Sequence, residues 1–123
     1  MFGILQISTK IQFVQLIMEN NPKSVIELLK EIYVNLNSLE SFIQGMSDFF
    51  AELSKYKIIP DYHNPIYQRY LREIANILIS TSLSRLTILW QIFSNGVQEI
   101  KQSHNELNCA EMLVIKAIYS WKF

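Results

Sequence analysis

The sequence predicts an all-α protein, a single compact domain of about six helices, on three observations. Half of the residues are apolar and only 18% are charged. Glycine and proline number three each, too few for short strands joined by tight turns. Apolar side chains recur every three or four positions, in blocks separated by Asn-Pro, Asn-Ser and Ser-rich punctuation. The 123 residues suffice for one domain with a modest core, and 1–123 are read as that domain.

The first helix is expected from about Thr9 to Asn20, with Ile11, Val14, Ile17 and Met18 inward. Asn21-Pro22 then starts the second: the Asn caps, and Pro takes the first helical position, where no N–H is needed. Its inward side chains are Val25, Leu28, Leu29, Ile32 and Leu36, and Asn37-Ser38 breaks it. The third helix carries the clearest stripe: Leu39, Phe42, Ile43, Met46, Phe49, Phe50, Leu53 and Tyr56. At 100° per residue these fall within about 140° of arc, opposite Gln44, Asp48, Glu52 and Lys55.

Lys57 to Asn64, with Pro60, is a connector. Asn64-Pro65 repeats the start signal for a fourth helix ending near Ser80, with Ile66, Tyr70, Ile74, Ile77 and Leu78 inward. Ser82 is a candidate cap for a fifth helix, Leu83 to Gln102. Ser103 and Glu106 have capping-box spacing for a sixth, which runs nearly to the end. No internal repeat and no low-complexity tract interrupts this order.

Several function classes find no support in the composition. Eleven basic and eleven acidic side chains cancel, so the chain carries no electrostatic footprint for nucleic acid or anionic lipid. The pairs Lys55/Lys57 and Arg69/Arg72 sit near Glu52, Asp61 and Glu73 and read as solvated surface. One cysteine, Cys109, excludes an internal disulfide and a four-cysteine zinc site, and fits a reducing compartment. The N-terminus lacks the charge and apolar pattern of a signal peptide. The window Ile74 to Phe93 has Arg85 as its only charge, but Asn76, Ser80, Thr81, Ser82, Ser84, Thr87 and Gln91 dilute it. No membrane span is expected there.

Leu86 to Ile115 is the most informative stretch, because each helix in it carries apolar residues on two sides. In the fifth, Leu83, Leu86, Leu89, Trp90, Phe93, Val97 and Ile100 form the stripe expected to be core. Ile88 and Ile92 project nearly opposite, extended by Arg85, Asn95 and Glu99. In the sixth, Leu107, Ala110, Leu113, Val114, Ala117, Ile118 and Trp121 make the core stripe, and Met112, Ile115 and Tyr119 a second strip. Two arrangements satisfy this pattern. Both helices are surrounded by their own domain, or the second strips form a subunit interface rimmed by Arg85 and Glu99.

At these residues the sequence resembles a known family. Leu86-x-x-x-Trp90-Gln91, then Gly96-x-x-Glu99-Ile100, then Ala110-Glu111-Met112-x-x-Ile115 is similar to the third domain of the bacterial gamma/tau subunit. That subunit is the ATPase of the DNA polymerase III clamp loader. Phe2-Gly3-Ile4 resembles the short entry to that domain. Phe13 to Leu36, with Asn-Asn-Pro-Lys between its helices, and Phe49 to Pro60, with Leu53 and Lys57, also fit. Two departures stand out: Lys116 occupies a position where Arg is common, and Ser94-Asn95 replace an apolar residue and a Lys. Lys keeps the charge of Arg but loses its bidentate fork.

The resemblance implies a collar, or oligomerisation, domain that holds clamp-loader subunits side by side in a ring. The partners it implies are other gamma/tau copies and the delta and delta-prime subunits, without direct nucleic-acid or membrane contact, in the cytoplasm. It implies no catalysis here, and no cofactor: ATP, Mg and Zn belong to N-terminal domains of the parent. No glycine is followed by lysine, so no phosphate-binding loop is present. On this reading the chain is an excised piece or the product of a split gene.

Glu111 lies between the two strips of the sixth helix and is expected to be partly buried, accepting from the Trp90 indole, from Gln91 or from a helix N-terminus. No carboxylate or histidine stands at a spacing that would make it a catalytic acid. Trp90 is read as a core anchor rather than a stacking platform. Gly96 is either a point of close helix packing or a tolerated helix glycine, and Gly45 is the latter. His63 and His104 are read as exposed loop residues, and Cys109 as a small, partly buried side chain. The rival to an assembly domain is an unrelated helical adaptor that binds a partner helix between its last two helices.

Overall fold

The computed structural model describes residues 7–36 and 38–120. The expected entry Phe2-Gly3-Ile4, Asn37, the side chain of Leu36, and Trp121 lie outside the described residues. Six α-helices are present among the described residues: α1 (Ile7–Met18), α2 (Pro22–Leu36), α3 (Glu40–Ile58), α4 (Leu71–Ser80), α5 (Leu83–Lys101) and α6 (Glu106–Tyr119). A 3-10 turn, Pro65–Tyr70, leads into α4.

The centre is an antiparallel pair, α3 and α5, which make the most extensive contact in the domain. Ser47 meets Ser94 at 2.6 Å between hydroxyls, and the rings of Phe50 and Phe93 lie 5.3 Å apart. At the far end Lys101 reaches Glu40 at 4.0 Å. The α3 stripe is buried as its period predicts, from Leu39 through Leu53. The rings of Phe13 of α1 and Phe42 meet edge to face, 4.9 Å apart at 80°, which closes one side of the core. α2 packs on α1 and α6, and α6 on α5.

Local chemistry explains most boundaries. The Asn21 side chain accepts from Ser24 N at 3.3 Å and Pro22 opens α2. Ser82 caps α5 by accepting from Arg85 N at 3.1 Å. Asn20 turns the chain between α1 and α2 with a positive φ of 58°, a conformation Asn tolerates. The connector is pinned to α3 by tyrosines. Tyr62 donates to Glu52 at 2.8 Å, and the Tyr56 hydroxyl accepts from Asn64 N at 3.1 Å.

Three expectations are corrected. The fourth helix does not start at Pro65: the 3-10 turn there advances 120° per residue rather than 100°. That change of phase exposes Ile66 and buries Tyr67, whose ring packs on Phe49 at 5.6 Å. Burial, with Glu52 and Asp48 nearby, pushes the Tyr67 phenol up to about 12.

The capping box at Ser103 does not form. Asn105 is the cap instead, accepting from Asn108 N at 3.0 Å, and the Ser103 hydroxyl bonds to the Asn105 backbone. Glu106, now the first residue of α6, is left to accept from Leu39 N at the start of α3. Leu39 itself supplies no side-chain cap, so α3 is capped by a residue 67 positions away.

Trp90 is not a core anchor: it is 45% exposed. The buried arc of α5 contains Leu86, Leu89, Phe93, Gly96, Val97 and Ile100. Including Gly96 rotates that arc toward α6 and leaves Trp90 outside its opposite edge.

Candidate functional site

Gly96 fixes how α5 meets α6. A Cβ built there would lie 2.6 Å from Leu113 Cδ1 and 2.8 Å from Cδ2. Leu113 is itself buried, so it has nowhere to move. The glycine is therefore a point of close helix packing rather than a tolerated helix glycine. Gly45 meets only the flexible end of Lys10, at 3.4 Å, as expected of a tolerated helix glycine.

This close approach leaves a shallow seam on the outside of the pair. Ile88, Gln91, Ile92, Asn95 and Glu99 of α5 and Lys116 of α6 line a groove of about 170 Å³. Ile88 is 40% exposed, while Ile92 is half-buried against the core. Lys116 pairs with Glu99 at 3.6 Å, both half-exposed, a rim contact worth at most about 1 kcal/mol. Lys116 in place of the common Arg thus still finds a carboxylate, through one amine rather than a fork.

The predicted strips are brought together only in part. Ile88, Ile92, Asn95 and Glu99 share the α5–α6 seam. Arg85 is half-buried in an adjoining cleft of about 340 Å³ that also shares Ile88. Ile115 and Tyr119 face the other flank of α6, where they line a cleft of about 410 Å³ with Ile118, Asn20 and Pro22. Met112 is half-exposed, between the two by its position on the helix. Tyr119 is 51% exposed. α6 therefore presents a ridge with an apolar hollow on each side.

Glu111 is half-buried, as expected, but among the described residues it accepts no hydrogen bond from Trp90, Gln91 or a helix N-terminus. Gln91 is exposed and stands at the groove. Cys109 is partly buried, and burial, with Glu99 nearby, pushes its thiol up against the pull of Lys116. A thiol held protonated in this way is a weak nucleophile.

Lys116 belongs to this surface although the predicted strips did not include it. Lys116 lies one turn after Met112, and that i, i+4 spacing was the available signal. Glu106 was assigned to the wrong partner, because its contact with Leu39 is a tertiary one. Among the described residues no group of three His, Cys, Asp or Glu side chains is placed to hold a metal. His63 and His104 are both exposed. No single helix among the described residues is long and apolar enough to cross a membrane; the pair Pro65–Ser80 and Leu83–Lys101 meets that length and composition only jointly and is bent by 107°.

The fold and this surface define a helical packing domain whose distinctive feature is an apolar outer face on its last two helices. The chain belongs to the family of domain III of the DNA polymerase III gamma and tau subunits, whose family model matches residues 1–123. Its role is accordingly in the clamp loader of DNA replication, and it is a non-catalytic domain, the ATPase of the subunit lying in other domains. No curated protein and no solved structure matches the chain significantly.

Proposed function

We propose that this domain holds clamp-loader subunits together, and that the outer face of α5 and α6 is the surface it uses. The observation that carries the proposal is the exposure of Ile88, Met112 and Tyr119 on two adjoining helices of a family that works inside a multisubunit complex. Exposed aliphatic and aromatic side chains grouped in this way are what a long-lived protein contact buries. The partners are other copies of gamma/tau and the delta and delta-prime subunits. Arg85, Asn95, Glu99 and Lys116 form the polar rim that sets register.

On this reading the mechanism is geometric. The domain keeps neighbouring ATPase modules at high effective concentration and in fixed order, so that nucleotide sites form at their junctions. The ATP, magnesium and zinc chemistry belongs to other domains of the parent subunit, and 1–123 serve as one assembly unit. The rival adaptor reading needs a groove between α5 and α6 that admits a helix. Gly96 brings α5 against Leu113 of α6, and the groove left on the outside of the pair is shallow, about 170 Å³.

The double substitution Ile88→Asp, Ile92→Asp tests the proposal. Ile88 is exposed and Ile92 only half-buried, so the helical circular dichroism is expected to persist. Sedimentation of the parent subunit is expected to shift from oligomer to monomer. Oligomers of unchanged mass would remove this face from the assembly surface.

A further inference from the structure

Between α3 and α5 the chain makes an excursion, residues 59–80, that buries little. Of these residues only Tyr67, Ile74 and Ile77 are buried. α4 is ten residues long, shorter than a helix that holds by itself in water. Neither of its ends is closed locally. Tyr70 offers no side-chain cap at the start, and the chain leaves the other end through an extended Thr81 rather than a left-handed residue. Beyond the 3-10 turn that leads into it, α4 packs on α1 and α3. Its seam with α1 is not filled: Gln15, Met18 and Glu19 face Asn76, Ile77 and Ser80 across a hollow of about 150 Å³.

Polar contacts from the last turns of α3 hold this excursion at both ends. Glu52 accepts from the Tyr62 hydroxyl at 2.8 Å, and the Tyr56 hydroxyl accepts from Asn64 N at 3.1 Å. Lys57 Nζ donates to Leu78 O at 2.7 Å. Leu78 lies in the last turn of α4, where carbonyls have no partner inside the helix, so the lysine closes the end that the local sequence leaves open. The remaining helices are tied together differently. α3 buries seven side chains between Phe42 and Leu53, and Phe13 of α1 packs on both Phe42 of α3 and Phe93 of α5. A segment with few buried apolar contacts and exposed hydrogen bonds opens before a part packed in that way.

We propose that residues 59–80 form a flap that opens as one unit while the other five helices stay packed, with Glu52, Tyr56 and Lys57 as its clasp. Those five helices contact one another directly, α3 with α5, α5 with α6, α6 with α2 and α1, and α1 with α2, so their core does not need the flap. Opening parts the Tyr67 ring from Phe49 and lifts Ile77 away from Met18, which uncovers an apolar strip on α3 and α1. The inference does not rest on the assembly role of the α5–α6 face, since none of the clasp residues lines that groove.

Amide hydrogen exchange of the 123-residue chain tests the flap. The amides of α4 are expected to share one opening constant and to exchange faster than those of Phe50 and Phe93. Two kinds of variant separate flap opening from global unfolding. Tyr62→Phe removes a bond that both openings break, so exchange in α4 and at Phe93 is expected to rise together, about tenfold for one hydrogen bond to a charged group. Gly96→Ala acts between α5 and α6, which stay packed when the flap opens. It is expected to speed exchange at Phe93 and leave α4 unchanged, and Glu106→Ala serves in its place if Gly96→Ala does not fold. Amides of α4 as slow as that of Phe93, or faster in Gly96→Ala or Glu106→Ala, overturn the flap. No change in α4 with Tyr62→Phe overturns the clasp.

Discussion

At the scale of single residues, Gly96 decides more than any charged group. Alanine in place of a solvent-facing helix glycine stabilises by about 1 kcal/mol through helix propensity. At Gly96 the added methyl would overlap both methyls of buried Leu113. Gly96→Ala is therefore expected to destabilise, by about 1–3 kcal/mol for an overpacked core. Gly45→Ala is the control, since its Cβ meets only the mobile end of Lys10, and a small gain is expected. Urea unfolding of both variants checks the opposite signs. A gain at Gly96 would mean that α5 and α6 are not held at this distance.

At the scale of elements, α3 lacks a local cap and borrows one. Glu106 accepts from Leu39 N across the domain, so the start of α6 and the start of α3 are one structural unit. Glu106→Ala removes that acceptor and leaves a partly buried N–H unpaired, at about 1–3 kcal/mol. Faster amide exchange at Leu39 is the expected signature, with a smaller effect in Glu106→Gln, which keeps a carbonyl oxygen. Exchange at Leu39 unchanged by Ala would mean that another group caps α3.

The same elements show what the sequence made legible and why the rest was hidden. The α3 stripe was readable because a buried helix facing one core imposes a 3.6-residue period over eight positions. The starts at Asn21-Pro22 and Ser82 were readable because capping is local. Ile66 and Tyr67 were not, because a 3-10 turn changes the angular step without a sequence signal of its own. Trp90 was misplaced because the wheel treats every apolar residue as equal. In the fold a glycine lets one neighbour come closer and so rotates the buried arc away from the larger side chain. The candidate strip on α5 was legible as a second apolar side. Its division on α6, with Ile115 and Tyr119 turned to the α1–α2 side, depended on tertiary packing.

At the scale of the whole molecule, the domain has a well-filled core and an outer surface with uneven apolar exposure. Trp90 is as exposed as Met112, yet the two occupy different faces: Trp90 lies off the buried arc of α5, away from the seam that α6 forms. That separation makes the account testable within one protein. Oxidative side-chain footprinting of the parent subunit, alone and assembled in the clamp loader, reports on methionine, tryptophan and tyrosine together. The account predicts that Met112 and Tyr119 lose reactivity on assembly while Trp90 keeps more of its own. Protection of Trp90 with Met112 and Tyr119 unchanged would place the contact on the other side of α5 and contradict the assignment.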